Sequence, residues 1–219
     1  MKSRTCPVLE TAFQTPRLEG ERSPLLNEHW SYIKQSDISK FSREDWKLLN
    51  QQRIPFLAKE KSKQALEMLT VQKDTPSFGY QINNYEHCLQ TATLALEDGQ
   101  DEETVVVALF HDVGFVTNNE THGEFAAEML RPYISEKNYW MLQRHMYFQL
   151  YYLKSLEGVD HNIREKWRGH DFFDWTSEFV FKYDVPSVNA EKRNVPLEEF
   201  QPMVERLFAR PPKSFAPLD

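Results

Sequence analysis

An all-α fold is predicted by three features of this 219-residue chain. Apolar residues recur at helical spacing. Cap residues, glycines and prolines punctuate the periodic stretches. No segment shows the period-two alternation of a half-buried strand, and nothing repeats internally. About seven to nine helices around one core are expected.

The elements follow in order. Residues 1–40 mix proline, serine, threonine and charge without a sustained period, and read as an extension, partly disordered or wrapped on a domain spanning 41–219. Order is expected to begin at "SREDWKLLNQQ", where Ser42 can cap a helix and Asp45 lies in its first turn. "IPFLAKEKSKQALEMLTVQ" reads as a second helix with Phe56, Leu66 and Leu69 facing the core, followed by the loop "KDTPSFGYQINN". A third helix, "YEHCLQTATLALEDG", stops at Gly99, and a fourth, "EETVVVALFHDVG", is capped by Asp101 and stops at Gly114. Next come "THGEFAAEMLRPYI", ended by Pro132, and a long helix "EKNYWMLQRHMYFQLYYLKSLEG" ending near Gly158. "FFDWTSEFVFKYD" is helical, with Asp171 read as its N-cap. "LEEFQPMVERLFAR" is a last helix interrupted early by Pro202.

Composition narrows the function. Hydrophobic residues make up 40% and charged residues 27%, which suits a soluble globular chain. No apolar run approaches the roughly 18 residues of a membrane span, and the first 20 residues lack a signal-peptide core. The two cysteines, Cys6 and Cys88, are far apart, so no disulfide framework is expected. The reading is a cytoplasmic protein. A formal charge of −7 argues against nucleic acid or an anionic membrane as partner.

The chemistry begins at "VVVALFHDVGF". An apolar helix ends in His111 and Asp112. Burying ionisable groups costs several kcal/mol unless they are paired or coordinated. Ligand-type residues recur at matching places: His87, His122, His145 and Asp184, each on or near a predicted helix and in apolar company. Side chains converging from several helices build metal sites inside bundles. Imidazole and carboxylate suit iron, manganese or zinc. Helix neighbours project about 100° apart, so His111 and Asp112 can grip one ion only where the helix opens, which Gly114 is expected to permit. A carboxylate has two oxygens, so Asp112 can bridge two metals. Taken singly, each histidine would be an ordinary core or surface residue. The order of the set and the His-Asp pair ending an apolar helix outweigh that. A second pair, His170-Asp171, precedes a helix and is left out, and His29 and His161 are expected to be solvated.

Taken in order, "YEHCLQTATLAL", "VVVALFHDVG", "THGEFAAEML", "LQRHMYF" and "FKYD" resemble the motifs of the HD-domain superfamily. They are similar in particular to its mixed-valent diiron oxygenase branch, typified by myo-inositol oxygenase and the phosphonate-cleaving oxygenases. The resemblance covers residues 78–210 and implies an HD-domain helical bundle. It implies one iron held by His87, His111, Asp112 and Asp184, and a second by Asp112, His122 and His145. The cofactor it implies is an Fe2+/Fe3+ pair, with manganese or zinc as the alternative, and the partners are dioxygen and a small hydroxylated substrate. The alternative function is a metal-dependent HD phosphohydrolase or phosphodiesterase. Simpler HD phosphohydrolases bind one metal and lack the two middle histidines. Cyclic-dinucleotide phosphodiesterases usually carry a lysine where this chain has Phe115.

The chain also departs from the pattern. The phosphonate-cleaving enzymes place cations where this chain has Gln149 and Phe181, so a dianionic substrate would lose its best ion-pair partners. Their loop before the first histidine carries a Tyr and a Glu; here Tyr80 is the nearest equivalent and the Glu is missing. Tyr80, Gln149 and Lys182 are the candidates for substrate contact. The run "HMYFQLYYL" suggests a less charged, partly apolar pocket. A phosphohydrolase would need a cationic clamp, for which Arg144, Lys154, Arg168 and Lys182 are at hand.

Overall fold

Local capping chemistry sets where the helices start. The Ser42 hydroxyl accepts from the Asp45 N–H at 3.1 Å, and the Asp45 carboxylate accepts from the Ser42 N–H at 2.9 Å. Asn83 and Glu86 form the same reciprocal box at the next helix. The Asp101 carboxylate accepts from the Thr104 N–H at 2.7 Å. Replacing Asp101 with alanine orphans that donor at the start of the central helix and is expected to lower stability by about 1 kcal/mol, read from chemical denaturation.

The computed structural model describes residues 29–213, among which there are eight α-helices and no strand. They are α1 (Arg43–Thr70), α2 (Asn84–Glu97), α3 (Glu102–Phe110), α4 (His122–Leu130), α5 (Glu136–Leu142), α6 (His145–Gln149), α7 (Phe173–Phe179) and α8 (Leu197–Phe208). Short 3₁₀ turns cover Ile38–Lys40, Val71–Asp74, Val113–Val116 and Ile163–Trp167, and a π-helical turn covers Val180–Asp184. The described residues divide into two compact units, one up to Ile54 and the other from Pro55. Most of the extension expected over residues 1–40, with Cys6, lies outside the described residues. No helix of the described residues is long and apolar enough to cross a membrane.

The core of the second unit surrounds α3. Every residue of this helix from Thr104 to Phe110 is buried, as an all-round apolar helix requires. α2 packs along it, and α8 covers it with Phe200, Val204, Leu207 and Phe208, a stripe at helical spacing. α5 also touches α3, while the π-helical turn lies against α2, α6 and α7. The segments carrying the ligand-type residues therefore close around the apolar end of this buried helix.

Four sequence expectations are corrected. The first two predicted helices are one, because α1 runs through Pro55. A proline frees the carbonyl four residues back; that residue, Gln51, is exposed, so water can satisfy it. Pro202 likewise sits inside an unbroken α8 on its exposed side. Phe56 is 41% exposed, whereas Leu69 is buried and Leu66 packs against the core. The long helix expected from Glu136 to Gly158 is instead two short ones, α5 and α6, broken at Gln143–Arg144. The physical reason is His145. Its Nδ1–H donates to the Leu142 carbonyl at 2.8 Å, occupying an acceptor that a continuing helix would give to a backbone N–H.

Candidate metal centre

The same device positions three histidines. His111 lies just past the end of α3 and its Nδ1–H donates to the Ala108 carbonyl at 2.8 Å. His122 opens α4 and donates to the Asn119 carbonyl at 2.6 Å. His145 opens α6 and donates to Leu142. Each ring binds the carbonyl three residues back, at a helix boundary where that carbonyl is free. His87, one turn into α2, donates across the fold to the Ser187 carbonyl at 2.7 Å. Those contacts assign the proton of all four rings to Nδ1 and leave the lone pair on Nε2.

All four Nε2 atoms converge. His87 and His111 face each other at 3.1 Å, and so do His122 and His145. Asp112 lies between the pairs. Its Oδ1 is 3.2 Å from both His122 Nε2 and His145 Nε2. Its Oδ2 is 3.4 Å from His87 Nε2 and 3.5 Å from His111 Nε2. Asp184, at the end of the π-helical turn, places Oδ1 at 3.5 and 3.8 Å from His87 and His111. Its Oδ2 is buried without a hydrogen-bond partner. All six residues are buried.

Such a set fits a cation. Four lone pairs and two carboxylates point at one small volume, with no fixed donor among them except displaceable protons. Two three-residue groups, His87–His111–Asp184 and His111–Asp112–His145, have one ligand atom from each residue within 4.8 Å of the others. Asp184 Oδ2 is an orphaned acceptor that an ion would satisfy. Without an ion, protons hold the cluster together. Burial opposes charge on His87, yet its hydrogen bonds to Asp112 and Asp184 push its pKa up to about 10. Burial also opposes charge on His122, and Asp112 raises it. Burial works against ionised Asp112, but His111 and the rings of His122, His145 and His87 hold it well below the usual carboxylate range. Asp184 is lowered, against burial, by His111 and His87.

The sign of the pH dependence follows. A raised His87 stabilises the metal-free protein fully below its unfolded value of about 6.5, and loses that contribution as pH climbs through about 10. The lowered carboxylates stabilise it above about 4 and lose that contribution in acid. Metal must displace the His87 proton, so uptake at pH 8 is expected to release at least about one proton per chain, with affinity rising toward alkaline pH. Calorimetry in buffers of different ionisation enthalpy measures this; uptake without proton release would contradict it.

The backbone around Asp112 is held from outside the six. Gln72, nearly fully buried, donates to the Val113 carbonyl at 3.2 Å and accepts from Asn84 Nδ2 at 2.7 Å. Asn84 Nδ2 also donates to the Asp112 carbonyl at 3.1 Å. Gly114 acts differently from expectation. α3 has already ended at Phe110, and Gly114 is needed for close approach: a Cβ there would lie 2.3 Å from the His122 carbonyl oxygen. Gly123 is similar, with an added Cβ 2.5 Å from the Leu142 carbonyl oxygen and 2.9 Å from His145 Cε1. Gln72 and Asn84 escaped sequence reasoning because a polar residue in a turn or at a helix start carries no signal of the distant group it holds.

Residues 84–177 match the family model for the HD domain. That span is similar to the HD domain and covers less than half of the chain, and the all-α bundle is consistent with the likeness. The matched span contains the four converging histidines and Asp112, while Asp184 lies beyond its C-terminal end. A search of curated proteins found no match.

The remaining sequence candidates fall as follows. Gln149, at the end of α6, donates to Asp184 Oδ1 at 3.1 Å and so borders the cluster. Tyr80 is 67% exposed on the loop before α2. Lys182 does not aim its ammonium at the cluster: it pairs with Glu178 at 2.8 Å and Asp98 at 3.3 Å, because the π-helical turn directs it to a carboxylate-lined surface. Of the aromatic run, Phe148 belongs to the core, while Tyr152 stacks on the exposed Phe181 at 5.7 Å. Asp171 is not the cap of α7; Phe172 is, and the His170 ring, which stacks on Trp140, accepts from the Phe172 N–H. His161 is half-buried, its Nδ1–H donating to the Leu150 carbonyl at 3.0 Å.

Proposed function

We propose that this chain is an oxygenase that uses dioxygen and a pair of irons to oxidise or cleave a small hydroxylated substrate. His87, His111 and Asp184 would hold one iron, His122 and His145 the other, and Asp112 would bridge them. The observation that carries the reading is Asp112, whose two oxygens each face a different histidine pair at 3.2 to 3.5 Å. An iron pair of this kind supplies one-electron redox chemistry toward dioxygen and Lewis acidity toward a substrate hydroxyl. The protein's own contribution is placement. Gln149 fixes one oxygen of Asp184 and leaves the other free. Phe115, stacked 4.2 Å over His122, is 38% exposed and gives the cluster an apolar rim where a charged clamp would otherwise stand.

The rival, a phosphohydrolase, needs cations directed at the metals. Three of its four sequence candidates are engaged elsewhere. Lys182 pairs with Glu178 and Asp98, and Arg168 binds both oxygens of Glu165. Lys154 lies over Tyr151, while Arg144 stacks on Trp140 and donates Nη1 to Gln143 at 2.9 Å but keeps a buried, unpartnered Nε. Anaerobic iron loading followed by partial oxidation and electron paramagnetic resonance separates the two. The oxygenase reading expects a spin-coupled half-integer signal; turnover of phosphate esters with zinc or manganese and no such signal would replace it.

A further inference from the structure

One buried cation is unused by the metal centre. Arg164, on the 3₁₀ turn Ile163–Trp167, is only 7% exposed. Its guanidinium lies flat against the Tyr151 ring, 3.3 Å from the centroid, with Tyr152 and Phe173 at 5.6 and 5.9 Å. Nε and Nη1 are buried without a hydrogen-bond partner. The neighbouring carboxylate does not satisfy them. Glu165 forms a long ion pair with Nε at 3.5 Å, but gives its two oxygens to Arg168 at 2.8 Å each, which leaves Nη1 unmet and Nε only weakly paired. Cation–π contact offsets part of the desolvation of a guanidinium, yet leaves its in-plane N–H groups unmet. A buried guanidinium whose carboxylate partner is engaged elsewhere keeps N–H donors to spare for a second anion.

The place of this arginine is informative. Tyr151 and Tyr152 directly follow α6, the helix that carries His145 and ends with Gln149 against Asp184. The loop leading to Arg164 is pinned to the same helix end, since His161 donates to the Leu150 carbonyl. Tyr152 in turn stacks on Phe181 of the π-helical turn that ends at Asp184. Arg164 therefore packs against the aromatic segment that follows the helix bordering the cluster, with two buried N–H groups that make no hydrogen bond.

We propose that Arg164 is the anchor of an oxyanion subsite, binding a carboxylate or phosphate group of the substrate remote from its reacting carbon. Planar N–H donors in a dry, aromatic-walled setting match such a group. Calling the anion part of the substrate rests on the metal-centre reading above; the binding itself does not.

The test titrates the full-length protein with glycolate and, separately, inorganic phosphate at fixed ionic strength. It compares wild type, Arg164→Gln, Arg164→Lys, Asp112→Ala and Lys166→Gln, an exposed charge on the same turn. One anion per chain is expected, weakened at least tenfold in Arg164→Gln and unchanged in Lys166→Gln, with metal content unchanged in both. Tighter binding of one probe identifies the group as carboxylate or phosphate. Arg164→Lys keeps the charge and stem, so it guards against a folding defect, and it too is expected to weaken binding. Equal affinity across wild type and both Arg164 variants overturns the subsite. So does binding lost only in Asp112→Ala, which would place the anion on the metals and leave the metal reading intact. Failure of wild type to bind either probe also overturns it.

Discussion

Asp112→Ala is expected to lose both metals and all turnover. Each oxygen of this carboxylate faces one histidine pair, so its removal takes the shared ligand from both positions at once. It also leaves four convergent imidazoles with Asp184 as the one remaining carboxylate among the six, and removing one partner of a buried charged set costs about 3–5 kcal/mol. The protein should therefore melt lower even without metal. Asp112→Asn keeps the volume and removes the charge, which separates the two effects: it should fold better than the alanine variant yet bind no second metal. Elemental analysis and thermal melting read both outcomes. Full metal content in either variant would sink the bridging role.

The second large effect is expected at Gly114. A methyl group there would meet the His122 carbonyl oxygen at 2.3 Å and its Cα at 2.5 Å. Those are backbone atoms, so no side-chain rotation relieves the clash, and the 3₁₀ turn must move away from α4. Gly114→Ala is expected to cost roughly 3 kcal/mol or more, within the range of severe overpacking. Because the turn carries Asp112 and the helix carries His122, the same displacement separates a carboxylate oxygen from its histidine pair. Metal content should fall with stability. A variant that melts like wild type and holds its full complement of metal would show that the close approach has no such role.

The sequence exposed the ligand-type residues because their chemistry is visible in it. A histidine and an aspartate ending an apolar helix pose a solvation problem on any reading, and His87, His122, His145 and Asp184 are of the types that solve it. The fold class was legible for a similar reason: Asp101 and Ser42 mark helix starts through local hydrogen bonds that involve only their own neighbourhood. What escaped depended on distant partners. Nothing in "LQRHMYF" says that the His145 ring will take the Leu142 carbonyl and break a helix there. Gly114 reads locally as a helix stop, whereas its role is set by a backbone eight residues further along. Arg164 looks like one more surface charge in "NIREKW", and only the packing of Tyr151 against it reveals burial. Local propensity is encoded in neighbours; close approach and desolvation are not.

The central claim is that Asp112 divides the cluster into two cation positions. Crystals of the iron-loaded protein, measured on either side of the iron absorption edge, test it most directly. The account predicts two anomalous peaks flanking the Asp112 carboxylate, one among His87, His111 and Asp184 and the other beside His122 and His145. A single peak, or none within the reach of these six side chains, would contradict it.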